Sequence, residues 1–167
     1  LEKAKSELQS QGVQFPIHID YVVDQSSNAL VQQADSMKSS IETALGKDNV
    51  VIDVQKLSTD DADNATYFAQ SPEQKDFDMD ITGWGPDFQD PSTYLDILNS
   101  TDGSTLTGMG LDPKKDQALI EKIGLNEYQA LLDAANAEKL DTNARYEKYA
   151  AAQAWLTENA MVLPIYS

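Results

Sequence analysis

Residues 83–91, Gly-Trp-Gly-Pro-Asp-Phe-Gln-Asp-Pro, gather the side chains of this chain best suited to recognition. Asp87 brings one negative charge, between Trp84 and Phe88 in sequence. A carboxylate accepts charge-assisted hydrogen bonds from a cation, roughly twice as strong as neutral ones. Ring faces supply contact area that tolerates many partners. Gly83 and Gly85 would let a ligand backbone come close. A structural turn with Trp84 and Phe88 packed into the core fits the same composition equally well.

Other candidate chemistry is thinner. His18 is the single histidine and falls on the polar face of an expected strand, which reads as a surface position. With no cysteine, thiolate metal sites, disulfides and cysteine nucleophiles are excluded, and one histidine leaves most transition-metal sites without donors. Asp60 and Asp61 belong to a helix first turn, where acids suit the helix dipole. Asp78 and Asp80 share one face of an expected strand and should meet solvent or a lysine. No EF-hand, phosphate loop, nucleophile elbow or dinucleotide fingerprint is present. Neither a metal nor a cofactor is implied. A carboxylate enzyme would have to use Asp87 with Asp90, two acids of separated proton affinity in one pocket. An Asp90 committed to capping a helix would end that reading.

The 167 residues carry a formal net charge of −16 and a sequence pI near 4.1, spread along the chain as a solvated acidic surface. This argues against nucleic acid and anionic membranes as partners. The chain begins at Leu1 rather than Met, and we expect a single domain over residues 1–167, cut from something longer.

The elements that must position residues 83–91 follow from periodicity. Residues 1–11 read as a helix stopped by Gly12. Residues 15–23 alternate as a strand, with Pro16 at its start or edge. Ser26 or Ser27 starts a long helix with Leu30, Ala34, Met37, Ile41 and Leu45 on one stripe, ended by Gly46. Residues 50–57 form a β-branched strand. Ser58 with Asp61 resembles a capping box, opening a helix to about Gln70. Residues 77–82 alternate as a third strand. Strands alternating with helices predict a mainly parallel sheet flanked by helices. In such sheets ligands bind beyond the carboxyl ends of strands, where residues 83–91 fall.

Asp90-Pro91 reads as a helix start, cap then proline. Extra helices follow: residues 91–98, then one from Asp112-Pro113 to Ile123 stopped by Gly124. Two more are capped by Asn126 and Asp141, the last carrying Trp155 at core spacing. Residues 161–166 form a closing apolar strand.

Residues 83–95 resemble the signature of the extracellular solute-binding proteins of oligopeptide and dipeptide ABC importers. The pattern is carried by Trp84, Asp87, Phe88, Asp90, Pro91, Tyr94 and Leu95. The resemblance runs more weakly over the whole chain, including Lys75–Met79 before the motif and Trp155 to Tyr166 at the end. It implies an α/β, periplasmic-binding-protein-like lobe, the C-terminal (second) lobe of a two-lobed receptor, and no enzyme activity. In this family two lobes close on an extended peptide. An Asp at the position of Asp87 typically holds the peptide α-ammonium, and the Trp with neighbouring backbone lines the slot. The implied ligand-binding residues are Asp87, Trp84, Gly83, Gly85 and Phe88. The implied partners are an oligopeptide, the N-terminal lobe of the same chain and the transporter permease. The implied place is the cell surface of a Gram-positive bacterium, with a lipidated N-terminus as membrane anchor. A receptor for signalling peptides on the same scaffold is the rival reading.

Physical chemistry supports that transfer. The N-terminal ammonium is the one cation every peptide shares, so a single carboxylate gives recognition independent of sequence. No Lys or Arg lies between Lys75 and Lys114. Nothing near the motif in sequence can therefore hold a peptide C-terminal carboxylate; that end should be either free or held by the other lobe, and long peptides should be admitted.

Overall fold

The computed structural model describes residues 1–165. It divides into two compact units, residues 1–69 with 73–82, and residues 70–72 with those from 83 onward.

The first unit is a β-α-β core with flanking helices. Strands β1 (Ile17–Asp24) and β2 (Val50–Leu57) pair in parallel, in register from Ile17 opposite Val50 to Asp24 opposite Leu57. Helix α1 (Glu2–Ser10) precedes β1, and helix α2 (Asn28–Leu45) makes the crossover between the strands. A parallel pair needs such a crossover, and α2 packs its Ala34 stripe on Tyr21, Val23, Val50 and Ile52. Ser27 caps α2 by accepting the Leu30 amide, and Gly46, at φ +83°, ends it. Helix α3 (Thr59–Ala65) opens on Ser58, whose hydroxyl accepts the Asp61 amide and donates to the Asp61 carboxylate. It stops at Ala65, short of the expected Gln70.

The expected third strand is a correction. Only Met79 bridges Tyr21, in parallel, and no ladder extends from it. The Val22 amide donates to the Met79 carbonyl, while the amides of Asp78 and Met79 converge on the Asp20 carbonyl. The next ladder position is taken by a side chain: the Asp20 amide donates to Asp78 Oδ2 at 2.9 Å. A carboxylate thus replaces the backbone acceptor and the pairing ends. Asp80 is half-buried rather than solvent-facing. Burial raises its pKa, and the Lys75 charge opposes the shift.

The second unit is helical. Helix α4 (Ser92–Leu95) continues into a 3-10 turn (Asp96–Leu98). Helices α5 (Gln117–Lys122), α6 (Leu125–Ala137) and α7 (Thr142–Glu158) follow. Their core is built on Leu98, Leu106, Ile120, Tyr128, Leu132 and Tyr149. Asp112 closes a turn by accepting the Lys114 amide, so α5 starts later than Pro113. Gly124, at φ +82°, caps α6, and Asn126 lies inside the helix. A Cβ at Gly124 would sit 3.1 Å from the Trp155 ring. Trp155 stacks at 5.7 Å on Tyr128 and donates to Glu127, the structural role expected of it. Asp141 caps α7 through the amides of Asn143 and Ala144. Met161–Ile165 form no strand, and Tyr166 lies outside the described residues.

Candidate ligand-binding site

Residues 83–89 are exposed without a break. Trp84 keeps 42% and Phe88 57% of its surface open, so the core-packed turn is not what forms. The backbone here carries no helix or strand bonds that would bury it. Gly83 and Gly85 have no left-handed φ, and a Cβ at either would meet open space. This chain's own packing therefore does not require glycine at these two positions, in contrast to Gly103, where a Cβ would come within 2.6 Å of the carbonyls of Ile97 and Asn99.

Asp87 is held by its main chain: its amide donates to Thr93 Oγ1 at 3.1 Å. Among the described residues, no hydrogen bond or ion pair engages its carboxylate. An exposed carboxylate, unengaged among the described residues and flanked in sequence by two open rings, can accept from a cationic donor without first breaking an internal bond.

Asp90 is treated differently. Its Oδ1 accepts the Ser92 amide at 3.0 Å, the capping bond expected of it, although α4 begins at Ser92 and Pro91 occupies the cap position. Both its oxygens are also taken by Arg145, Nη1 to Oδ2 at 2.6 Å and Nη2 to Oδ1 at 2.8 Å. This bidentate fork lowers the Asp90 pKa to about 2, with the Ser92 bonds adding to the effect. The same pair raises the Arg145 pKa above its ordinary value. Arg145 Nη2 further donates to the Tyr149 hydroxyl at 2.9 Å, which donates to Asn136 Oδ1 at 2.6 Å. In the rest of the signature, Leu95 is buried in the helical core while Tyr94 stays half exposed. The motif thus alternates between residues turned outward and residues that fasten it.

Arg145 is the residue that sequence reasoning missed. It lies 55 positions from Asp90 and is the chain's only arginine. The absence of Lys and Arg between Lys75 and Lys114 does not keep cations away from the motif in space. The one that arrives is spent on Asp90.

His18 stays at the surface, its Nδ1 2.6 Å from Asp53 Oδ2 on the neighbouring strand. Among the described residues, no cluster of three or more His, Asp or Glu could hold a metal. No described helix is long and apolar enough to cross a membrane.

No protein-family model matches the chain. It is 52% identical over 166 residues to the oligopeptide-binding protein SarA of Streptococcus gordonii, covering 99% of this chain and 25% of that protein. Over 167 residues it is 52% identical to the oligopeptide-binding protein AliA of Streptococcus pneumoniae, covering 99% of this chain and 25% of that one. Over its length this chain is homologous to the oligopeptide-binding proteins. The oligopeptide-binding protein AmiA of Streptococcus pneumoniae extends the set, at 48% over 164 residues, 97% of this chain and 25% of AmiA. The chain spans about a quarter of the length of these relatives.

Solved structures agree on the fold. The substrate-binding domain of an oligopeptide ABC transporter from Bacillus anthracis matches with a TM-score of 0.71 at 22% identity, covering 99% of this chain and 27% of that one. The pheromone receptor PrgZ, a structure describing peptide binding, matches with a TM-score of 0.63 at 19% identity, covering 98% and 26%. The chain therefore has the periplasmic-binding-protein-like α/β fold that the resemblance implied, with a parallel sheet of two strands among the described residues.

Proposed function

We propose that this chain is the C-terminal lobe of a two-lobed, extracellular peptide receptor for an ABC importer. Asp87 anchors the peptide α-ammonium as the lobes close. Trp84 and Phe88 offer ring faces to the first side chains, and Gly83 and Gly85 leave room for the peptide backbone. The N-terminal lobe supplies the other wall, the permease receives the loaded receptor, and a lipidated N-terminus holds the receptor at the membrane. The observation that carries this reading is the exposed Asp87 carboxylate, unengaged among the described residues and set in a segment that this chain's packing leaves open. Homology to proteins named for binding oligopeptides supports the ligand class.

The receptor is no enzyme on this reading. Two-carboxylate catalysis needs Asp90 beside Asp87, and Asp90 is committed to Arg145 and the Ser92 amide. A signalling-peptide receptor is the second reading, favoured by the likeness of fold to PrgZ. Breadth of selection separates the two: an importer retains many peptides from a mixed pool, a signalling receptor one.

The deciding experiment is calorimetry on the full-length, two-lobed protein. One peptide is titrated with its N-terminus free and acetylated, against wild type and Asp87→Ala. Binding that weakens on acetylation in wild type, and no longer distinguishes the two forms in the variant, supports the anchor. Binding indifferent to acetylation removes Asp87 from that role. A parallel series with C-terminal amidation should show no large loss caused by residues of this lobe.

A further inference from the structure

An unbroken run of bonds joins Arg145 to Asp87. Arg145 holds both oxygens of Asp90, at 2.6 and 2.8 Å. Asp90 in turn fixes the start of α4: its carboxylate accepts the Ser92 amide, and its carbonyl accepts the Thr93 amide at 3.2 Å. Thr93 is buried, and its Oγ1 accepts the Asp87 amide at 3.1 Å. Arg145 is itself immobilised. It donates to Tyr149, lies 4.9 Å over the Tyr149 ring, and springs from α7 four residues after the cap Asp141. Tyr149 is buried and tied to Asn136 on α6.

We propose that this run is a positioning device. Arg145, Asp90 and Thr93 fix the direction in which Asp87 presents its carboxylate, and Arg145 is a positioning residue that never touches the ligand. The inference rests on the Asp87 anchor proposed above.

Three observations support it. The Asp87 carboxylate makes no bond of its own among the described residues, so the hydrogen bond at its amide is the internal polar restraint on it. An anchor on an open loop loses affinity to the entropy of ordering, unless its supporting groups are already locked. Arg145 is unsuited to receive a ligand carboxylate because both its terminal nitrogens are engaged. Its planar fork matches the two Asp90 oxygens together, which a lysine ammonium cannot do.

The competing role is that of a staple, holding α4 to α7 without consequence for Asp87. Calorimetry on the full-length receptor separates the two, with one peptide free and N-acetylated. The variants are Arg145→Lys and Thr93→Val, each alone and combined with Asp87→Ala. The readout is the ratio of the two affinities. We expect each single variant to lower that ratio about fivefold, the scale of one hydrogen bond, with acetylated-peptide affinity unchanged. In the Asp87→Ala background neither should lower it further. Thr93→Val keeps side-chain volume and removes one acceptor, so it carries the test if Arg145→Lys fails to fold. A full wild-type ratio in a folded variant, or equal losses for both peptides, overturns the positioning role and leaves the anchor standing. A wild-type ratio of one removes the anchor and the device together.

Discussion

Residues 83–89 and residues 90–98 adjoin in the chain and meet opposite fates. In the first stretch every residue is exposed, and among the described residues Asp87 has a single hydrogen bond, at its amide. In the second, Ser92, Thr93, Leu95 and Leu98 are buried, Asp90 is forked to Arg145, and the Leu95 carbonyl accepts from Tyr128 at 2.7 Å.

 The Tyr128 hydroxyl thus reaches across from α6 to Leu95, tying the second stretch to the helical core. The difference teaches that the signature has two jobs: its second half builds a rigid base, and its first half is left free of internal obligations. Packing energy accumulates in one, and the proposed function assigns recognition to the other.

The comparison can be broken most forcefully at the base. Tyr128→Ala removes a fully buried ring and the bond to Leu95, and should cost about 3–5 kcal/mol in urea unfolding. Trp84→Ala should cost under about 1 kcal/mol, because its ring is nearly half open. Comparable losses would mean that the open stretch is part of the core after all.

Next in size is the effect on binding. Asp87→Ala in the full-length protein should lose about tenfold to hundredfold affinity for a peptide with a free N-terminus, the scale of a hydrogen bond to a charged group. Its urea midpoint should not move. A shifted midpoint with unchanged affinity would reverse the roles of the two stretches.

Acid sharpens the contrast further. The Asp90 pKa is lowered from 3.8 to about 2, so its contribution is present above the unfolded value and fades as pH falls from about 4 through 2. Stability should decline across that window, and Asp90→Asn should flatten the decline. Thermal melts at stepped pH measure it. Glu42, lowered from 4.5 to about 2 by Lys38 and the Ile52 amide, adds a similar acid loss in the other unit.

The smallest expected effect is at Gly85. Gly85→Ala should leave stability within about 0.5 kcal/mol, since its Cβ would meet open space. Gly103→Ala, whose Cβ would press on backbone oxygens, should destabilise by clearly more. Paired unfolding curves compare them.

Much of this is legible in the sequence. The β-α-β core followed from β-branched runs and caps: Ser27, Gly46, Ser58 and Asp141 all act where periodicity put them. Local chemistry decides such features, so local sequence reveals them. The third strand failed because alternation at residues 77–82 reports a half-buried face but not whether the neighbour offers a ladder, and Asp78 takes the next ladder place with its side chain. Asn126 was misread because the left-handed turn at Gly124 both ends one helix and opens the next. At the site, the exposure of Trp84 and Phe88 is not legible in residue type, because a core-packed turn fits the same composition equally well. The partner of Asp90 could not be read, because α7 returns to α4 only through the tertiary fold.

One consequence follows from Arg145 being the chain's sole arginine. In a nitrogen-labelled sample of this chain the guanidinium signals all belong to one residue, set apart from every lysine and backbone amide. The Nη signals report directly on the fork with Asp90, so the base beneath residues 83–89 carries its own spectroscopic label without any foreign probe.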